Sequence, residues 1–351
     1  MREDAPTPEQ VTGGRFWVEA TFSSPDLVEH TFPVAGGVLV WQADHYPATR
    51  VAGLQIARPG DAEFPDWREV VSPDGATVRL EGICESAGGV SRWPAGEYLV
   101  TRVTEASAYL RVDAQDFGLR VVERKLGTPR PVAPSLPARN AMSAIFGIAG
   151  VDQIEWATDA GKGPVPEGFS IGTDLGKTLE ELFDAWGLYA RAGWNGGLRV
   201  ADIPTGHEPG AGLVFTDGQA GTVVGAERAA NRDDIFNHVV VPVADSEAVG
   251  EAYASTGKYA VDRFGWRTAN VTGSSVASQA QALLVARSEL AKYLRRARTV
   301  PVELVPDWRV EPYDLVMVQV GRDRFSGVVT GAEWPLAADA TMVVDIGIES
   351  D

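Results

Sequence analysis

A chain of 351 residues, 44% hydrophobic and 23% charged, is long enough for two or three hydrophobic cores and needs no covalent staple to fold. Its formal charge of −17, divided as −7 over residues 1–126 (12 basic against 19 acidic) and −10 over 127–351 (19 against 29), excludes nucleic-acid binding by phosphate neutralisation. A single cysteine, Cys84, excludes an internal disulfide framework, the four histidines (His30, His45, His207, His238) lack metal-ligand spacing, and no apolar run approaches a membrane span.

Residues 1–12 show no periodicity to bury, and their acidic, proline-containing start does not resemble a signal peptide; they are expected to form a mobile arm. From Arg15 to Val122 the chain reads as strands and turns only. The segments 15–22, 27–34, 37–43, 48–57, 76–84, 97–103 and 108–114 alternate or run apolar. Turn-forming phrases such as RPGD, SPDGA and SAGG separate them. Short strands at this spacing predict an antiparallel barrel or sandwich over 13–126. Residues 127–137 (GTPRPVAPSLP) hold four prolines in eleven positions and are expected to act as a stiff linker.

Pro137 suits the first position of a short helix, ARNAMSAIF, ended by Gly147. A second helix is predicted from Asp174 to Trp186, with Leu175, Leu179, Leu182, Phe183 and Trp186 on one side and Gly187 as its stop. LYARAGW and LRVADI flank Asn195-Gly196-Gly197, a strong hairpin signal. A loop-rich stretch, 204–234, includes a possible strand at 213–216. The strand 235–243 (IFNHVVVPV) is followed by 244–273, which has no long period and reads as a small insertion.

The longest helical signal is Gln279 to Arg298, about 30 Å long. It repeats apolar residues at Ala280, Leu283, Leu284, Leu290, Leu294 and Ala297, with Ser278 and Gln281 as a capping-box pair. Lys292, Arg295, Arg296 and Arg298 complement the negative end of its dipole. Burial of each leucine contributes roughly 1.5–3 kcal/mol, so the helix requires a sheet to cover. The expected sheet consists of 235–243 together with 300–305 and 315–320, and the chain closes on a hairpin of 325–336 and 340–348. The fold class is therefore mainly β with some α: a barrel-like first domain, then a mixed domain over 138–243 and 274–351 carrying the long helix.

Five features invite chemical readings, and each has a plainer one. Gly168-Phe169-Ser170-Ile171-Gly172 matches the nucleophile-elbow pattern, with His207 or His238 as a conceivable base. However, 163–168 (GPVPEG) cannot form the strand that elbow needs, so a loop is expected. Gly172-Thr173-Asp174-Leu175-Gly176-Lys177-Thr178 is one residue too short between its glycines for a nucleotide loop, and Asp174 stands where phosphate charge would sit. Glu180-Glu181 and Asp233-Asp234 are sequence neighbours that do not face each other on a helix. Cys84 ends an apolar strand as an inert thiol, and tryptophans such as Trp17, Trp41, Trp67, Trp93 and Trp156 fit core or interface packing. No catalytic, cofactor-binding or metal-binding residue emerges.

The order of elements resembles the tail hub, or baseplate hub, proteins of bacteriophages, in particular the short minor tail proteins of phages infecting actinobacteria. The phrases that carry it are FPVAGGVLVWQADHYPATRVAGLQIA, PDGATVRLEGIC and WPAGEYLVTRV, then TLEELFDAWG, RAGWNGGLRV, DDIFNHVVV, the helix at 279–298 and VPVELVPDWRVEPYDLVMV, so it covers roughly residues 15–345. The resemblance implies a structural virion protein at the distal tail tip, assembled in the host cytoplasm, without cofactor or reaction. It further implies a homotrimer whose two tube-like β domains per chain match a six-fold tail tube or distal tail ring. Downstream tail-tip or fibre proteins and a tape measure protein are the implied partners, with phage DNA passing through without specific binding. With a short 244–273 and no extension read after 351, the fibre, lysin or receptor-binding functions that some relatives add downstream are not expected of this chain. Two rival readings are a tail-associated peptidoglycan hydrolase using Ser170 and a tail-tip module that binds a receptor or carbohydrate.

Overall fold

The computed structural model describes residues 5–348 apart from 27, 44–45, 61–63, 65, 88, 166–168, 205–211, 219–220, 227–234, 244–245, 272–275, 277 and 338, and apart from the side chains of Gln281, Leu284 and Arg295. The chain begins with α1 (Pro8–Gly13), β1 (Arg15–Ser23), β2 (Glu29–Gln42), β3 (Thr49–Ala57), α2 (Trp67–Val70), β4 (Thr77–Ser86), β5 (Gly89–Glu105), β6 (Tyr109–Gln115) and α3 (Gly118–Glu123). It continues through β7 (Arg130–Pro131), α4 (Ala138–Ile148), β8 (Ile154–Ala157), β9 (Ser170–Ile171), α5 (Leu175–Trp186), β10 (Leu188–Ala192), β11 (Leu198–Asp202), β12 (Leu213–Thr216) and β13 (Val223–Ala226). It ends with β14 (His238–Pro242), β15 (Val249–Tyr253), α6 (Val261–Phe264), β16 (Thr268–Asn270), α7 (Gln279–Arg296), β17 (Thr299–Leu304), β18 (Leu315–Val320), β19 (Asp323–Pro335) and β20 (Met342–Ile348). The result is a β-rich α+β protein with several sheets, most of whose pairings are antiparallel.

β2 is the strand on which the large sheet turns. The segments 27–34 and 37–43, expected as two strands, lie in one strand of 14 residues with register shifts around Gly36. Gly37 takes φ 121°, and a β-carbon there would run into the backbone of Leu54, so the bend requires glycine. Before the bend, Glu29–Pro33 pair with β1, which closes the circuit β1-β4-β5-β6-β3-β2 of antiparallel pairings. After it, Val38–Gln42 pair with β19. β19 also pairs with β18 and β20, β20 with β17, β17 with β13, and β18 with β12. This second run of six strands is open between β12 and β13 among the described residues.

Alternation along these strands supplies one continuous core under both runs. Along β1 buried and half-buried residues alternate, with Val18, Ala20 and Phe22 fully inside. An aromatic column crosses the join: Phe16 stacks on Trp93 at 5.9 Å, Trp93 meets Trp308 at 5.9 Å, and Trp308 meets Trp334 at 6.5 Å. Of the tryptophans expected in the core, Trp41, Trp67 and Trp93 are fully buried and Trp17 and Trp156 are half-buried.

A second core gathers α4, α5 and the sheet β10-β11-β8, with Met142, Ile145, Leu179, Leu182 and Val200 inside. Here α5 follows its sequence signals closely. Asp174 caps the N-terminus through Lys177 N–H, and Gly187 ends the helix in the left-handed region at φ 63°. The β10–β11 hairpin forms around Gly196 and Gly197, both at positive φ. α4 extends to Ile148 and runs through Gly147, with Pro137 as its N-cap residue and not its first residue.

Three expectations are corrected. Residues 8–13 of the presumed arm form α1, because Thr7 and Gln10 make a capping box, Pro8 opens the helix, and Val11 finds a buried site. The sheet under α7 does not include 300–305 or 315–320. β14 pairs instead with β15 and β16, both drawn from 244–273, while β17 and β18 lie in the large sheet. The buried face of α7 matches the expected one only in part: Leu290 and Ala297 are buried as expected, and Leu294 packs against the core. Ala280 is exposed, Leu283 half-buried, and Ala282, Val285, Ala286 and Leu290 form the inner stripe, because Gly250 of β15 lets the helix backbone come into close contact. Gln281, assigned to the capping box, has its side chain outside the described set.

Candidate functional site

The motifs singled out in the sequence do not converge. Ser170 lies in the two-residue strand β9, paired with Arg130–Pro131, whereas His238 belongs to the β14 sheet. His238 is engaged there, with Nε2 2.6 Å from Glu251 Oε1 and Nδ1 2.9 Å from Thr268 Oγ1. Gly168, His207 and Asp233-Asp234 fall outside the described residues. The stretch 172–178 is a helix start: Thr178 Oγ1 donates to Asp174 O and accepts from Gly172 N–H, and Lys125 Nζ sits 2.7 Å from Asp174. Cys84 is buried against Gln10, and burial pushes its thiol up.

A cleft of about 250 Å³ lies where α5, α7, β2 and β10 meet. Helical spacing explains its polar wall: Glu180 and Asp184 are four apart on α5, and Glu289, Lys292 and Arg296 are three and seven apart on α7. Lys292 Nζ lies 2.8 Å from Asp184 and 2.6 Å from Glu289, and only 11% of its side chain is exposed. Burial alone would pull its ammonium down, but the two carboxylates outweigh that and hold it above the usual lysine value. Glu180 stands at the exposed mouth, its carboxyl raised by partial burial and by Asp184, Asp174 and Glu181. Aromatic rings form the other wall: Trp41 meets Tyr313 at 5.4 Å, and Tyr313 meets Tyr189 at 4.7 Å, both edge-on. The sequence reading missed this cleft because four separate elements line it. The helical spacing of its charged residues was the available signal.

Two of the surfaces that expose apolar side chains among the described residues stand out. On the sheet face away from α7, Val249, Tyr253 and Trp266 are 40%, 50% and 58% exposed, with the two rings 5.5 Å apart. On the end strands of the second six-strand run, Val214 and Val224 are 57% and 58% exposed. Single exposed apolar residues need no explanation, but an aromatic pair on a sheet face and valines on unpaired edges are features of contact surfaces.

No protein-family model matches the sequence, and no curated protein matches it. Solved structures do. The tail protein from Neisseria meningitidis MC58 superposes with a TM-score of 0.65 at 12% identity, over 94% of this chain and 96% of that one. The 43 kDa tail protein of prophage MuSo2 from Shewanella oneidensis gives 0.63 at 10%, over 93% and 98%. Prophage tail protein gp18 from Listeria monocytogenes EGD-e gives 0.58 at 10%, over 95% of each chain. This chain shares their fold. At 10–12% identity the shared tail-protein fold lies in the order and pairing of elements, not in retained side chains.

Proposed function

We propose that this chain is a structural component of a phage tail, namely the hub that closes the distal end of the tail tube in the virion and adapts its six-fold symmetry to a three-fold tip. The observation that carries the reading is the pair of six-strand runs joined through β2. A chain with two such β modules, one within 13–126 and one built from β12, β13 and β17–β20, offers six similar surfaces when three copies assemble. Similarity of fold to tail proteins over more than nine-tenths of the chain supports it. In this reading the chain is a short minor tail protein of an actinobacterial phage. Its partners are its own copies, the tube or distal tail ring, downstream tip or fibre proteins and the tape measure protein. It converts no substrate.

The acid-rich surface suits a DNA conduit, because a basic wall would hold the duplex through many phosphate contacts. Electron microscopy of the purified protein tests the proposal. Three-fold rings with an opening that admits duplex DNA are expected, and a monomer at all concentrations overturns the hub. A ring whose lumen is net basic overturns the conduit argument alone. Ser170→Ala is expected to leave any cell-wall hydrolysis by the preparation unchanged, which separates a hub from a hydrolase.

A further inference from the structure

Taking the number of copies from the hub proposed above, we propose that one charged sheet face joins the copies, with the arginine half of one protomer seated on the acidic half of the next. Strand register defines that face. Arg50, Val40, Glu333, Val343 and Glu303 oppose one another in turn across β3, β2, β19, β20 and β17, so their side chains leave the sheet on one side. Asp345 joins them, two residues from Val343 on β20. On β6, Gln115 opposes Arg50, and the period of two brings Asp113 and Arg111 to the same side; Arg102 of β5 opposes Asp113. The other side of these strands is the core, with Leu39, Val51, Val112 and Val344 inside.

The face is divided by sign. Arg50, Arg102 and Arg111 are exposed on three adjacent strands and make no ion pair among the described residues. Their one carboxylate neighbour, Asp113, accepts from Gly53 N–H at 2.7 Å. Arginines elsewhere in this module are matched, Arg92 with Glu19 and Glu81, and Arg58 with Glu105. Beyond Val40, on the second module, Glu303 and Glu333 are exposed and Asp345 is half-buried, again without an ion pair among the described residues. Burial, and after it the neighbouring Glu333, hold the Asp345 carboxyl above its usual range, so these acids face each other with no cation to offset them. Each half also offers apolar contact: Tyr109, 45% exposed, lies on the side of Arg111, and the half-buried Val343 and Pro301 lie among the acids.

A partner for this face must bring carboxylates to one half and cations to the other, and a second copy does both. Because the halves lie on different β modules, a heterologous contact uses one half of each copy, and three copies turned about one axis leave no half unmatched.

Sedimentation velocity of the full-length protein at about 50 mM and about 500 mM salt tests this. Association at low salt, weakened at least about tenfold at high salt, is expected. Arg102→Glu with Arg111→Glu should weaken it about tenfold or more, because like charges then meet, and Glu303→Arg with Glu333→Arg should do the same. The variant carrying all four changes should associate within about threefold of the wild type, a rescue that damage to the fold would not produce. All four positions are exposed, so every variant should keep the wild-type circular dichroism. Trimers indifferent to salt and to both pairs of changes, or a fourfold variant as weak as either pair, would overturn the contact and leave the hub standing. A salt-sensitive dimer rescued in the fourfold variant keeps the contact and removes the three-fold hub. A monomer at low salt overturns both.

Discussion

Asp116 is fully buried where the end of β6 meets the start of α3, and it ties several elements together. Its carboxylate accepts from Thr49 N–H at 2.7 Å and from Gly118 N–H at 2.9 Å, while Thr49 Oγ1 accepts from Ala192 N–H at 3.2 Å. Burial pushes its pKa from 3.8 up to about 7 despite those donors. Because the folded value is the higher one, the folded state holds the proton more tightly, and this stabilisation is present below pH 4 and lost as pH rises through 7. Stability of the wild type relative to Asp116→Asn should therefore fall between pH 4 and pH 7 by at most about 4 kcal/mol. Chemical denaturation across that range checks it, and a difference that rises with pH would contradict the assignment. Gly187 offers a milder test. Nothing lies within 4 Å of the position a β-carbon would take, so Gly187→Ala should cost only the strain of φ 63°, about 1 kcal/mol.

Among the elements, α7 is the most exposed to error in reading and the most informative to perturb. Leu290 is buried among Val239, Val241 and Ala252, and Leu290→Asp should remove at least about 3 kcal/mol and abolish soluble protein. Gly250→Ala should act on the same interface from the other side, since the new methyl would overlap the backbone of Ala282 and Leu283. Retention of wild-type thermal stability by either variant would mean that the helix seats differently. The contrast with α5 shows what a sequence can disclose. α5 has a capping aspartate, leucines at helical spacing and a terminal glycine, and each does what its chemistry predicts. α7 has apolar residues on more than one side, so periodicity did not select the stripe that faces β14 and β15. Likewise α1 was hidden by its brevity, and the parallel partner β8 by having only four residues. The cleft depended on this second kind of information: the spacing of Glu289 and Lys292 was visible, but not the arrival of Asp184 and Tyr313 opposite them.

At the scale of the molecule, strand existence was legible and strand partnership was not. Alternation marked β1, β3, β4 and β6 within a few residues of their ends. No local signal announces that β2 pairs with β19, almost three hundred residues later. Such non-local closure makes loop entropy a large part of the folding barrier. The expected outcome is slow refolding in which the fluorescence of the Trp93, Trp308 and Trp334 column recovers in one late phase, measurable after dilution from denaturant.

The bend at Gly36–Gly37 gives one strand two clients with separate registers. An extra residue inserted after Gly37 would throw Val38–Trp41 out of step with β3 and β19 at once and move Leu39 and Trp41 to the face that buried Val40 occupies, yet leave Glu29–Pro33 in step with β1. A reading-frame slip of that kind would strike both six-strand runs together, so the insertion variant should be digested along its whole length in limited proteolysis, with no resistant half. The wild type, locked across the same strand, should resist as a whole.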